Sequence, residues 1–140
     1  MTSSSNRLLQ SSFAAINRFG IITPTYSLKK NYQLIREYIN RYATMDCPEI
    51  EEIVIVWNNE ENPKDLGFKQ LEEWKRPVLF HKTPENSMDL RYSLPSESRA
   101  KVFFSADDDI ITTCFELQKG FEEWKKKCCR GYCSSAGLWA

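Results

Sequence analysis

Ile53-Val54-Ile55-Val56-Trp57-Asn58-Asn59 decides how the rest of the chain is read. Five consecutive apolar residues, mostly β-branched, are too few for a helix and suit a strand covered on both faces. Two asparagines come next and end it in polar turn chemistry. Upstream, Gly20-Ile21-Ile22-Thr23-Pro24-Thr25-Tyr26 reads as another short buried strand running into a turn, because proline has no N–H to give a ladder. Between the two, Leu28, Tyr32, Ile35, Ile39 and Tyr42 recur at spacings of three and four. That stripe predicts a helix over 28–42, with Lys29, Lys30, Arg36, Glu37 and Arg41 mostly off it.

Downstream, Glu60 to Asp65 reads as a loop, Leu66 to Trp74 as a short helix and Pro77-Val78-Leu79-Phe80 as a third strand. Residues 83–95 are polar and irregular. Val102-Phe103-Phe104 is a fourth strand, which runs out into Ser105-Ala106-Asp107-Asp108-Asp109. Thr113 with Glu116 three residues on predicts a capping box, and Leu117, Phe121 and Trp124 the buried stripe of the helix it opens. Strands alternating with helices imply an α/β fold: a mostly parallel, three-layer sheet flanked by helices. Ligands of such sheets bind at the carboxyl ends of the strands, where Asn58-Asn59 and the Asp run both fall.

The bulk properties narrow the class. The chain of 140 residues suits one domain, and 41% hydrophobic with 27% charged residues excludes a disordered tail. Nineteen Lys and Arg balance nineteen Asp and Glu, so no net field draws the chain to nucleic acid or an anionic membrane. No apolar stretch approaches the ~20 residues of a bilayer span. Residues 1–18 lack an apolar core for a secretory signal and read as a frayed, disordered leader; their Arg- and Ser-containing, acid-free make-up leaves a transit peptide as the alternative. The five cysteines, Cys47, Cys114, Cys128, Cys129 and Cys133, are odd in number and scattered, so no disulfide framework is expected. The CCRGYC cluster lacks a second spaced ligand pair and His81 is the sole histidine, which argues against zinc. His81 reads as structural or exposed, Trp57, Trp74 and Trp124 as core, and Lys125-Lys126-Lys127 as a solvated helix end.

Three adjacent carboxylates repel one another unless water screens them or a cation neutralises them. A solvated acidic turn is one reading of Asp107-Asp108-Asp109. The other starts from its position between Val102-Phe103-Phe104 and Ile110-Ile111, which anchors it at both ends. Alternate residues of an extended segment share a side, so Asp107 and Asp109 can converge on one hard cation, Mg²⁺ or Mn²⁺.

Thr25-Tyr26, the run Val54 to Asn59, the Pro77-Val78 strand, Asn86-Ser87 with Arg91, the run Phe104 to Ile110, and Phe121 with Trp124 together resemble the exostosin-like family, glycosyltransferase family 64. The resemblance covers about Phe19 to Trp124, the family's donor-binding half. It implies a GT-A-like nucleotide-diphospho-sugar-binding fold, a UDP-N-acetylhexosamine donor, a glycan acceptor, Mn²⁺ (or Mg²⁺) and transfer with retention, by front-face displacement because no nucleophile is suitably placed. By the same resemblance, Thr25 and Tyr26 border the uracil and ribose, Asn58 and Asn59 meet the uracil edge, and Asn86 and Arg91 contact the nucleotide and its diphosphate. Asp107 and Asp108 face ribose and sugar hydroxyls, and Asp109 is the direct metal ligand. Plain turn chemistry remains open for Thr25, Tyr26, Asn58 and Asn59, and an ordinary surface arginine for Arg91.

The chain departs from the family pattern twice. Ser27-Leu28-Lys29-Lys30 stands where the family carries an arginine after the Thr-Tyr turn, and lysine lacks the bidentate fork. After Trp124 the ending KKKCCRGYCSSAGLWA does not resemble the family and reads like a frame change or a retained intron. The expected division is therefore a leader at 1–18, a nucleotide-sugar-binding domain at 19–126 and a non-family tail at 127–140, with the catalytic residues beyond the chain end. Family members work on the lumenal side of endoplasmic reticulum and Golgi membranes, and no anchor is legible here. Two other readings stay open: an inactive, truncated fragment that at most binds UDP and metal, and a non-enzymatic interaction module.

Overall fold

The computed structural model describes residues 15–24, 32–57, 61–68, 70–82, 94–105, 112–129 and 138–139. Their elements are β1 (Phe19–Pro24), α1 (Tyr32–Thr44), β2 (Ile50–Trp57), a 3-10 turn (Pro63–Leu66), β3 (Val78–Lys82), β4 (Phe103–Ser105), α2 (Cys114–Cys129) and β5 (Leu138–Trp139). The strands form one sheet in the order β3-β2-β1-β4-β5, and every pairing in it is parallel. The expected α/β architecture is present. The apolar run 53–57 lies in an interior strand, and all five of its residues are buried.

Strand alternation divides the core. Phe19 and Ile21 of β1, Ile53, Ile55 and Trp57 of β2 and Phe104 of β4 gather with Ile35, Ile39 and Tyr42 of α1 and Leu117, Phe121 and Trp124 of α2. The described parts of both expected helical stripes therefore reach one cluster, with the first helix running over 32–44; Leu28, where its stripe was expected to begin, lies outside the described residues. Ile22, Val54, Val56 and Phe103 form a second cluster, in which Ala100 and Leu79 are the other described partners. Both described helices thus pack into the first cluster and the segment leading into β4 lies in the second, so among the described residues helices cover one face of the sheet and not the two of the expected three-layer arrangement.

Several local expectations need correction. No helix forms over 66–74 among the described residues; the 3-10 turn stops at Leu66 because Gly67 follows with φ 85°, a conformation that favours glycine. The Gln70 side chain is then committed to β3, donating to the Val78 carbonyl at 2.7 Å and accepting from the Val78 N–H at 3.5 Å. The boundary drawn at residue 126 falls inside α2, which runs to Cys129, and Leu138–Trp139 of the stretch read as a tail pair with Phe103 and Phe104. At the other end, Ile16 packs against the main cluster and Arg18 Nε donates to the Pro48 carbonyl. Lys125 is not solvated: its side chain is 18% exposed, sits 4.8 Å from the Phe121 ring centroid and donates to the Ile16 carbonyl.

The scattered cysteines are the largest correction. Cys47, in the turn before β2, and Cys114, the first residue of α2, form a disulfide across 67 residues, with Cα atoms 5.5 Å apart. Chain separation says nothing of spatial separation once α2 packs on the sheet. Beside this bridge Arg76 is buried and donates through Nε, Nη1 and Nη2 to the carbonyls of Ile50, Tyr42 and Cys47 at 3.0, 2.6 and 2.9 Å. Burial pulls its pKa below the usual guanidinium value; Arg18 pulls the same way and Asp46 opposes. The three carbonyls satisfy the charge in place of water.

Gly20 sets the tightest constraint on the sheet. It pairs with Phe103, and a Cβ there would lie 2.5 Å from the Phe103 ring and 3.1 Å from Ala100 Cβ. Gly20→Ala should therefore lower unfolding stability by about 1–3 kcal/mol, the usual cost of overpacking. Denaturant melts would measure it, and adding Phe103→Leu should recover part of the loss if the ring contact is the cause.

Candidate functional site

Because every strand pairing is parallel, Pro24, Trp57, Lys82 and Ser105 end β1, β2, β3 and β4 along one edge of the sheet. The order of strands reverses there. From β1 the chain steps outward to β2 and β3, then returns to place β4 on the other side of β1. The crevice between β1 and β4 is thus the topological switch point, where open α/β sheets bind ligands. Neighbouring strands lie ~4.8 Å apart, so the ends of β2, β1 and β4 together span roughly 10 Å.

All the residues singled out by sequence follow these ends, and all lie outside the described residues: Thr25, Tyr26, Asn58, Asn59, Asn86, Arg91, Asp107, Asp108 and Asp109. The structure gives the strand ends from which they continue. Thr25-Tyr26 follows Pro24 of β1, Asn58-Asn59 follows Trp57 of β2, and the Asp triplet begins two residues past Ser105 of β4. Asn86 and Arg91 fall in the connection from β3 to β4. The register puts Ser105 beside Ile22 and Val56 beside Pro24, so β4 ends two residues short of β1 and β2 ends one residue beyond it.

Described side chains hold these exits from behind. Trp57, fully buried at the end of β2, is packed by Tyr32, Phe68 and Phe80 with ring centroids 6.3, 5.6 and 5.8 Å away. Its indole N–H donates to the Glu61 carbonyl at 2.7 Å, which ties the far side of 58–60 back to the strand. Arg36 lies 4.4 Å from the Phe68 ring centroid and donates to the Leu66 carbonyl, extending the same brace.

On the approach to β4 the brace is a carboxylate. Glu52 is 2% exposed, inside β2. Ser98 Oγ donates to its Oε2 at 2.6 Å, and the Arg99 and Ala100 N–H groups donate to Oε1 at 2.7 and 3.1 Å. The Gly20 N–H donates to the Val102 carbonyl at 2.9 Å, so 98–105 is held from the loop to the sheet. Beyond the acidic run, the Thr113 carbonyl accepts from the Leu117 N–H at 3.0 Å and its Oγ1 accepts from the Glu116 N–H at 3.2 Å. This is one half of the capping box. The Glu116 carboxylate takes the Thr112 hydroxyl at 3.3 Å. Sequence reading passed over Glu52; the signal was a lone acid of the same strand parity as Val54 and Val56 in a run otherwise destined for burial.

Two other features lie away from the switch point. A cavity of about 710 Å³, lined by Phe68, Val78, Phe80, Pro95, Lys64 and Lys82 among others, flanks β3, two strands from β1. The Cys47, Glu49 and Cys114 side chains cluster within 4.8 Å, but their sulfurs are bonded to each other and are the wrong donors for a hard cation.

Glu52→Ala should leave the Arg99 and Ala100 N–H groups without their acceptor and lower stability by roughly 2–4 kcal/mol. Chemical denaturation would measure the loss, and amide exchange at residues 99 and 100 should accelerate with it.

A model described as the glycosyl transferase family 64 domain matches residues 19–136. Glucosamine inositolphosphorylceramide transferase 1 of Arabidopsis thaliana is 29% identical over 111 residues, 79% of this chain and 14% of that protein. Glycosylinositol phosphorylceramide mannosyl transferase 1 of the same plant is 29% identical over 139 residues, covering 87% and 40%. Exostosin-2 of Homo sapiens is 31% identical over 97 residues, covering 66% and 13%. The chain thus spans less than half the length of each of these relatives.

Proposed function

The chain belongs to glycosyl transferase family 64, and on that premise we propose that it forms the donor side of a metal-dependent glycosyltransferase. The donor is a UDP-N-acetylhexosamine and the reaction is transfer with retention to a glycan. Two relatives are named for transfer to inositolphosphorylceramide glycolipids, which supports a glycolipid as the carrier of that glycan. The observation that carries the reading is the β1–β4 switch point, with an acidic triplet beginning two residues past the end of β4.

In this reading Thr25 and Tyr26 border the uracil and ribose, and Asn58 and Asn59 pair with the uracil edge through amides that both donate and accept. Asn86 and Arg91 contact the nucleotide and its diphosphate, for which the rigid, always charged guanidinium fork is suited. Asp107 and Asp108 take ribose and sugar hydroxyls, and Asp109, with Asp107, holds Mn²⁺ or Mg²⁺. Three carboxylates form a hard oxygen donor set, which fits either ion. When bound, the metal stabilises charge on the departing diphosphate. The protein's own contribution is positioning: donor groups anchored on adjacent strand ends hold the sugar for attack.

The family unit begins at residue 19, and the protein works on the lumenal side of endoplasmic reticulum or Golgi membranes. Among the described residues, no helix is long and apolar enough to cross a membrane.

Calorimetry with UDP should show binding that requires Mn²⁺. Asp109→Ala should weaken it at least as much as loss of an outer-shell metal partner does, about 10- to 100-fold. No binding by the wild type, or equal binding by the variant, would overturn the donor site. A transfer assay on the same sample separates an active transferase from a unit that only binds the donor.

A further inference from the structure

The Cys47–Cys114 bridge is chemically lopsided. Cys47 is 1% exposed and sits in the main core cluster, whereas Cys114 is only partly buried, at the first position of α2. Glu49 Oε2 lies 3.6 Å from Cys47 Sγ. The other oxygen of that carboxylate accepts from Gln118 Nε2 at 2.7 Å, one turn along α2, so the carboxylate is held in place. The cations nearby are engaged elsewhere: Arg76 has its guanidinium on three carbonyls, including that of Cys47 itself, Arg18 donates to the Pro48 carbonyl and Lys75 pairs with Asp46.

Thiol–disulfide exchange needs a thiolate to attack one sulfur and expel the other, and it is faster when the expelled thiol has a low pKa. Attack on Cys47 would expel the better leaving group, since a sulfur at a helix N-terminus is stabilised as thiolate. Burial closes that route. Attack on Cys114 is open, but it must expel Cys47 as a buried thiolate facing a carboxylate. Both surroundings favour the protonated thiol and make a poor leaving group.

We propose that Cys47–Cys114 is a permanent clamp, installed by a disulfide oxidant while the chain folds and then guarded against thiol reductants by the burial of Cys47 and by Glu49. Installation removes two protons and two electrons from the two thiols; the oxidant's disulfide takes them up and leaves as two thiols. The same poor reactivity of Cys47 means that the bond closes before that side chain is buried. The chain therefore matures in a compartment with such an oxidant. This inference does not depend on the donor-site reading.

The test is made on the whole chain, expressed in an oxidising compartment. Peptide mapping without reductant should recover Cys47 linked to Cys114. Native protein held in reduced glutathione should keep the bond, and any mixed disulfide trapped should be on Cys114 with Cys47 as the free thiol. Glu49→Gln should open about three- to tenfold faster, because removing the negative charge beside Cys47 makes its sulfur the better leaving group. A glutathione adduct on Cys47, or an unchanged opening rate in folded Glu49→Gln, would overturn the guard. Unpaired thiols in the native chain, including a zinc ion held stoichiometrically by Cys47, Glu49 and Cys114, would overturn the clamp. The wild-type adduct position decides the point even if Glu49→Gln fails to fold.

Discussion

A ring lies against a bare backbone where β1 meets β4. Phe103 occupies the space that any side chain at position 20 would need. That contact lets β1 be paired on both edges, with β2 on one side and β4 on the other. With β1 central, the reversal in strand order falls beside it, and three strand ends open toward the same crevice. A bulkier residue at 20 would wedge β4 away and separate the acidic run from the other strand ends.

The polar ties that the structure describes gather mainly at the opposite edge. Arg76 binds the carbonyls of Tyr42, Cys47 and Ile50, all at or before the start of β2. The disulfide joins the same turn to the start of α2, and Gln118 bonds to Glu49 beside it. Arg18 reaches Pro48 just ahead of β1, and Glu52 gathers the segment that feeds β4. Buried charges are tolerated there because each has several hydrogen-bond partners. The fold is stapled where strands begin, so these ties stay clear of the edge where the strands end. This division of labour suits a scaffold that must hold loops without occupying the space between them.

Whatever depends on local periodicity could be read from residues alone. The run Ile53 to Trp57 and the stripes on the two helices reached the core as their spacing required. Of the candidate site, the strand ends that its residues follow were legible, because a βαβ alternation fixes which ends share an edge; the residues themselves lie outside the described ones. Long-range pairing was not legible. Cys47 and Cys114 carry no spacing signal, and the parity of Glu52 marks it for burial without pointing to its donors, which come from Ser98, Arg99 and Ala100. The segment 66–74 misled for a related reason: Gly67 stops the turn, and the reach of Gln70 to β3, rather than a helical repeat, governs the residues after it.

The same topology constrains how the protein is made. β1, β2 and β3 can pair as they leave the ribosome, but the second edge of β1 has to wait for Phe103 to Ser105. Until then that central strand offers unpaired backbone groups, the usual starting point for wrong association between chains. Cys114 emerges later still, so the bond to Cys47 is a sign that the start of α2 has reached the turn before β2, ahead of the pairing of β5 with β4. Quality control that senses free thiols would thereby read whether the start of α2 has met the turn before β2.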